Sequence, residues 1–374
     1  MRSRYPTRIL PILFVLMFVG LSMSNPTSAR VLELVQRQVD TSLRDVSRLT
    51  VSPDGRFVYL GGTNVDIRLQ RNSATGRLTF DGAGYGVGAF SISPDGRSFY
   101  SIRSGVMRTH TRHVENGTLR QVDEWRGSPA FGVHGFPETI RLSPDGAHAY
   151  VRIHDGRAGI AIFNRNPENS VLTWVETIVD GVDGGVVPWD LTFSADGRNV
   201  YGLGRASLGT YAVVVFSRDP ATGSLEQKQV FSETGVNLDA GQIRISKDGS
   251  NLYVIVSSGI MALQRNPIDG SLSFLDFLDI LDPETLVVGP DDRFVYLVRK
   301  HFVVIYARRS GTGALDLVET LELPMDGLSR VKSAEFSPDG RHLYRFSRAE
   351  QLGRCLRDDA GASSEGDRRT EVPT

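Results

Sequence analysis

SPDGRFVY (52–59), SPDGRSFY (93–100), SPDGAHAY (143–150), SADGRNVY (194–201), SKDGSNLY (246–253), GPDDRFVY (289–296) and SPDGRHLY (337–344) are seven copies of one phrase. From Asp54 to Asp339 six intervals cover 285 residues, a mean period of 47.5. A fixed period of that size marks a solenoid, a propeller or an array, and it outranks any local motif.

Each copy continues in the same order. In the third repeat TIRLS, the turn PDG, HAYVRI, GIAIFNRN, the turn PENS and VLTWVETIV follow one another. The fourth repeats this as DLTFS, NVYGLG, AVVVFSRD, PATGS and LEQKQVF. These are short runs of β-branched and aromatic residues separated by turn chemistry, without sustained 3.6-residue periodicity. The reading is an all-β, seven-bladed β-propeller with four antiparallel strands per blade. The seventh repeat lacks an outer strand, and VLELVQRQV (31–39) resembles LDLVETLEL (315–323). The expectation is that the N-terminal strand completes blade seven, leaving no free edge.

Residues 1–29 read as a secretory signal peptide: Arg2, Arg4 and Arg8, the apolar run 9–21, then the small residues Thr27, Ser28 and Ala29. The apolar run is too short to span a bilayer comfortably. No cysteine follows it to carry a lipid, so the expected location is periplasmic or secreted. Residues 30–361 are assigned to the propeller and 362–374, small and charged, to a disordered tail. Without the leader, 39 basic residues face 43 acidic ones, a balance that offers no footprint for nucleic acid or an anionic membrane. Cys355 is the single cysteine, so disulfides do not hold the fold, and a monomer is expected.

The repeat tyrosines (Tyr59, Tyr100, Tyr150, Tyr201, Tyr253, Tyr296, Tyr344) read as buried rings with satisfied hydroxyls. An arginine closes strand three of each repeat: Arg71, Arg112, Arg165, Arg218, Arg265, Arg308 and Arg357. Each is expected to pair with the aspartate of its own PDG turn. His110 and His113 fall on opposite faces of a strand, unsuited to joint ligation, and neither metal nor cofactor is expected.

Features shared sevenfold belong to the scaffold, so function belongs where repeats differ. Those positions gather at one mouth of the central channel, in the starts of the inner strands and the loops joining strands two and three. Candidate ligand-binding residues are Arg48, Trp189, Asp190, Gln242, Glu284 and His301. Glu138 or His154 as general base, with Arg205 or Lys332 on an oxyanion, are the candidates for catalysis. His134, Asp155, Arg299 and Lys300 share these loops. Glu138, Asp190 and Lys332 are expected around one mouth. Trp189 reads either as a ligand-stacking anchor or as a plug in the channel wall.

The phrase SPDGRxxY, with strand three ending in xRxxxTGxL, resembles the bacterial lactonase-like propeller family. The match is closest at VVVFSRDPATGSLE (213–226) and VDGVDGG (179–185). The resemblance implies a seven-bladed propeller, and by analogy hydrolysis of phosphogluconolactone or cyclisation of carboxymuconate with histidines, arginines and acids at the mouth. Family inner strands often begin with Pro-His or Cys-His. Here the pairs are Ser47-Arg48, Gly88-Ala89, Glu138-Thr139, Trp189-Asp190, Gly241-Gln242, Glu284-Thr285 and Lys332-Ser333, without a histidine. Two classes stay open. One is an exported module that binds a small molecule, glycan or protein at a mixed-charge mouth, and the other is a hydrolase or cyclase of a small acidic lactone.

Overall fold

The computed structural model describes Val15–Leu16, Gln36–Arg37 and residues 46–349 except 63–65, 84–87, 127–134, 156, 180–185, 206–210, 233–240 and 324–327. The signal peptide apart from Val15–Leu16, the C-terminal tail, Cys355 and Arg357 therefore fall on positions outside the described residues. Each of the first six repeats forms one four-stranded antiparallel sheet whose strands follow in chain order. In the third these are Phe136–Leu142, His148–Asp155, Arg157–Arg165 and Leu172–Val179.

The seventh repeat departs from the expectation of seven four-stranded blades. It contributes a two-stranded sheet, Leu328–Phe336 with Leu343–Ala349, so the four-stranded blades number six among the described residues. Of the N-terminal strand expected to complete it only Gln36–Arg37 are described, and these pair with Val15–Leu16 rather than with the sheet of repeat seven. Similarity of 31–39 to an outer strand shows strand propensity and says nothing of its partner. The two-stranded sheet packs its inner face against repeat six through Val331, Phe336 and Leu343. It meets repeat one through Tyr344 and Phe346. Cores of buried β-branched and aromatic residues fill the spaces between neighbouring sheets.

The repeated phrase is a turn held by its own side chains. In the first repeat Ser52 Oγ donates to Asp54 Oδ1 (2.5 Å) and accepts the Phe57 amide (3.0 Å), and Asp54 accepts the Arg56 amide (3.0 Å). Gly55 adopts φ of 68°, where a side chain is disfavoured, and an added Cβ would lie 3.2 Å from Arg71. Repeat six replaces this glycine with Asp292, whose φ is 63°. Aspartate tolerates that region when its carboxylate finds local donors. Here it accepts the amides of Lys247 and Asp248, both at 2.9 Å.

The arginines join neighbours, correcting the expectation that each pairs with its own turn. Arg112 donates to Asp54 Oδ2 (2.8 Å) and to Tyr59 Oη (2.8 Å) of the preceding repeat, and only to the glycine carbonyl of its own turn (Gly96, 2.9 Å). Arg165 reaches Asp95, Arg218 reaches Asp145, and Arg308 reaches Asp248 in the same way, but Arg308 also pairs with Asp292 of its own turn (3.2 Å), as expected. Each ion pair to the preceding repeat is thus a rivet between sheets. Tyr59 in turn donates to the Gly117 carbonyl (2.9 Å), and its ring is buried as expected. Arg71 closes the circle onto Asp339 (2.8 Å) and Tyr344 (2.8 Å) of repeat seven.

Stability is expected to fall in two acid steps. Arg218 lies 2.6 Å from His148 Nδ1 and Arg71 2.7 Å from His342 Nδ1. Arginine can only donate, so both Nδ1 atoms accept and both rings are neutral. Burial first, then these arginines, lower both histidine values. Full stability is therefore present above the unfolded value of about pH 6.5 and lost as pH falls through the depressed one. The second step comes from the PDG aspartates. Burial works against their charge, but serine hydroxyls, turn amides and arginines outweigh it, taking Asp339 down to about 2. Melting temperatures from pH 8 to 3, with His148→Asn/His342→Asn beside the parent, check this. The variant should lose the upper step, and identical profiles would refute the assignment.

Candidate functional site

At the end of the channel away from the PDG turns, a cavity of about 250 Å3 opens among the starts of the inner strands. Its position follows from irregularities in those strands. Register shifts between Val46 and Arg48, Pro137 and Thr139, Pro188 and Asp190, and Val331 and Ser333 bulge out Ser47, Glu138, Trp189 and Lys332. A bulge re-aims side chains next to it. Three of the four bulged residues, Ser47, Trp189 and Lys332, line the cavity together with Arg48, Asp190 and Gln242.

Beyond the bulges, strand alternation turns every second residue inward. Four residues before the turn serine stand Arg48, Asp190, Gln242, Thr285 and Ser333, all on the cavity wall. Two residues before it stand Thr50, Arg141, Arg244 and Glu335. Arg141 and Arg244 reach up into the cavity wall, whereas Glu335 sits a layer below. The sequence reading missed these three charged residues.

Asp190 is the electrostatic centre. It accepts Arg141 Nη2 at 2.8 Å, Arg244 Nη1 at 3.4 Å and the Ile243 amide at 3.4 Å. Burial acts to raise its carboxyl, but Arg141, Arg244 and that amide prevail and hold it below the ordinary carboxylate range. Arg244 is further oriented by the Ile243 carbonyl (2.9 Å) and Gln242 Oε1 (3.1 Å). Arg48 faces the same group without an ion-pair contact among the described residues. Burial and repulsion from Arg141, offset by Asp190, bring it down to about 10. Lys332, exposed, adds a fourth cation. Thr285 is buried to 1% exposure, lines the cavity, and its hydroxyl has no hydrogen-bond partner among the described residues.

Glu335 accepts Thr50 Oγ1 at 2.9 Å. It retains some access to the channel space although protein surrounds it on every side. Burial pushes its carboxyl up to about 7, against the hydrogen bonds from Thr50 and the Val51 amide and the attraction of Arg244 and Arg141.

The other sequence candidates lie elsewhere. Glu138 pairs with Arg152 and does not line the cavity, so Asp190 and Lys332 share it without Glu138. His154 is exposed at the far end of strand two, opposite Phe136. Glu284 accepts the Val331 amide at 2.7 Å and ties repeat six to repeat seven. His301 packs edge-on against Phe302, its Nδ1 buried without a hydrogen-bond partner. Arg299 donates to the Leu281 carbonyl (2.9 Å), while the Arg299 and Lys300 carbonyls accept Arg345. The side chains of Arg205 and Asp155, and all of His134, lie outside the described residues. Trp189 both lines the cavity and packs edge-on against Tyr211, ring centroids 5.4 Å apart. Among the described residues no group of His, Cys, Asp and Glu is placed to hold a metal ion.

The arrangement can seat a small anion. Four cations face one carboxylate that already engages two of them, beside a hydroxyl able to donate and an indole wall.

No curated protein sequence matches the chain. Among solved structures, a candidate 6-phosphogluconolactonase from Bacteroides uniformis is 22% identical with a TM-score of 0.63, covering 84% of this chain and 98% of that one. The periplasmic gluconolactonase of Pseudomonas aeruginosa is 18% identical with a TM-score of 0.62, covering 90% and 99%. At these identities the likeness is one of fold. The family described as "Lactonase, 7-bladed beta-propeller" matches the sequence itself over residues 84–238 and 213–332, well over half its length. On that match the chain belongs to the lactonase β-propeller family.

Proposed function

We propose that the protein is an exported binder of small organic anions, of the class of sugar acids and their lactones, which it takes up at the channel mouth. The observation that carries this reading is the surplus of positive charge in the cavity. Asp190 engages Arg141 and Arg244, while Arg48 and Lys332 have no acidic partner among the described residues. Guanidinium and ammonium groups in a partly desolvated cleft hold carboxylate or phosphate more strongly than they would at an open surface. Trp189 offers an apolar wall to the carbon face of a sugar ring. The leader at 1–29 supports export to the periplasm or beyond.

A second reading is hydrolysis of such a lactone, and the observation that favours it is Glu335. A buried carboxyl that titrates near 7 can take a proton from water and return it. Water would add to the lactone carbonyl while Arg48 and Lys332 stabilise the oxyanion. The ring C–O bond would then break, and the proton would pass to the departing alkoxide.

Calorimetric titration with gluconate, 6-phosphogluconate and glucono-δ-lactone, with lactone loss followed by NMR, tests both readings. Arg48→Ala and Lys332→Ala are each expected to weaken gluconate binding by about tenfold, the scale of one charge-assisted contact. Absence of binding by the parent protein would sink the anion reading. Binding with a stable lactone would leave a binder without hydrolysis.

A further inference from the structure

Glu335 is a buried carboxyl without an ion-pair partner among the described residues. Its strand places it two residues from Ser333 on the same inward face, one layer beneath the cavity. The groups packed around it come from three directions. From repeat one, Thr50 donates to Oε2 at 2.9 Å, the Val51 amide donates to the carboxylate, and Arg48 stands a layer above. From repeats three and five, Arg141 and Arg244 attract it, but both are already engaged by Asp190 of repeat four. From its own strand, Lys332 and Ser333 lie toward the mouth. Glu335 and an incoming anion therefore compete for the field of the same arginines.

We propose that Glu335 is the affinity-setting group of the mouth: its protonated form leaves the cavity free to bind an organic anion, and its ionised form weakens that binding. This inference rests on the anion-binding reading above. The physical basis is linkage. If protonation of Glu335 raises anion affinity by some factor, anion binding favours protonation by the same factor. With Glu335 neutral, four cations oppose Asp190 alone. With Glu335 charged, part of their field is spent on a carboxylate that cannot leave.

The sign follows from the direction of the shift. Burial raises the carboxyl to about 7, so the tight-binding state dominates below neutrality and is lost as pH rises through that value. Anion uptake should then be accompanied by proton uptake near neutral pH. A unit charge one layer beneath the anion in a partly wet channel changes affinity by about three- to tenfold.

The test uses gluconate, whose own carboxyl titrates well below the range. Its dissociation constant is measured from pH 5.5 to 8.5 for the parent, Glu335→Gln and Thr50→Val, each point repeated in two buffers of different ionisation enthalpy. The parent should weaken by about three- to tenfold across the range, with a proton taken up on binding near pH 7. Glu335→Gln should bind at the tight level throughout, with no linked proton. Thr50→Val removes a hydrogen bond to the charged form and should move the transition to higher pH. It also serves if the glutamine variant fails to fold. A parent that binds gluconate with a pH profile matched by Glu335→Gln overturns the inference while leaving the anion site intact. A parent that binds at no pH overturns the site itself.

Discussion

Arg71→Met is expected to cost more stability than the same change at any other arginine of the PDG face. Its side chain is 1% exposed and holds three residues across the seam between the last and first repeats, and one carbonyl of its own repeat. Across the seam, Nη2 meets both carboxylate oxygens of Asp339 (2.8 and 3.0 Å) and His342 Nδ1 (2.7 Å), and Nε donates to Tyr344 Oη (2.8 Å); within its own repeat Nη1 donates to the Gly55 carbonyl (2.9 Å). Methionine keeps most of the volume and removes every donor. Breaking one partner of a buried pair costs roughly 3–5 kcal/mol, and Asp339, a third exposed and so partly rehydrated, places this case near the lower figure. For a fold of roughly 300 residues about 3 kcal/mol lowers the melting temperature by about 5 °C.

Position adds to chemistry. Asp339 lies 268 residues from Arg71 along the chain, whereas Arg165 and Asp95 belong to repeats that follow one another. The seam joins the last and first repeats, which do not follow one another in the chain, and the seventh repeat supplies two strands among the described residues. The other polar seam contacts are Thr50 with Glu335, the Leu49 amide with Ser333 Oγ (3.3 Å), and Tyr344 with the Gly76 carbonyl (3.0 Å), beside the apolar packing of Tyr344 and Phe346 on repeat one. Arg71→Met should therefore open the ring locally and speed proteolysis within repeats one and seven, while Arg165→Met lowers the melting temperature without that signature. A melting temperature for Arg71→Met within 1 °C of the parent would show that the seam is held by packing alone.

The same seam marks where sequence reading succeeds and where it stops. The phrase SPDGRxxY announces a turn, two strand ends and a buried tyrosine, because each residue type answers a local demand: Gly55 for φ, Ser52 and Asp54 for the orphan amides. Aligning the seven copies also places Arg48, Trp189, Asp190, Gln242 and Lys332 at equivalent inner-strand starts, and the structure gathers those five at one cavity. Arg141, Arg244 and Glu335 were within reach by the same means. They occupy a column filled elsewhere by Thr50, Ser91, Thr192 and Val287, and alternation turns that column inward.

Partnership between repeats was not legible. Every copy carries both an arginine and an aspartate, so spacing cannot tell the own turn from the preceding one. That choice depends on how far adjacent sheets are staggered. Repeat five shows the ambiguity, for Arg265 turns to Asn199 Oδ1 (2.7 Å) and Tyr201 rather than to Asp196. Pairing at the N-terminus was not legible for a related reason: likeness between 31–39 and 315–323 records a shared propensity that several edges could satisfy, and the two described residues, Gln36–Arg37, pair with Val15–Leu16.

Asp190→Asn should separate stability from affinity at the mouth. The substitution keeps shape and removes the charge that Arg141 and Arg244 enclose, leaving them beside Arg48 with only Glu335 to oppose three guanidinium groups. Asp190 is largely buried, but Arg141 and Arg244 keep about a third of their side-chain exposure and can be partly rehydrated, so the loss falls below the buried-pair range, at about 1–2 kcal/mol. Repulsion among the cations has a second consequence. Glu335 feels their field with less competition, so its carboxyl should ionise at lower pH than in the parent. An external anion, however, can enter where the carboxylate was. Gluconate or sulfate should therefore raise the melting temperature of Asp190→Asn by several degrees more than that of the parent at equal concentration, since a ligand that binds only the folded state stabilises by mass action. The variant would then be the less stable protein without ligand and the tighter binder with it. Equal anion-induced shifts in both proteins would place the anion away from these arginines, and Asp190 would be left as a structural counter-ion of the channel wall.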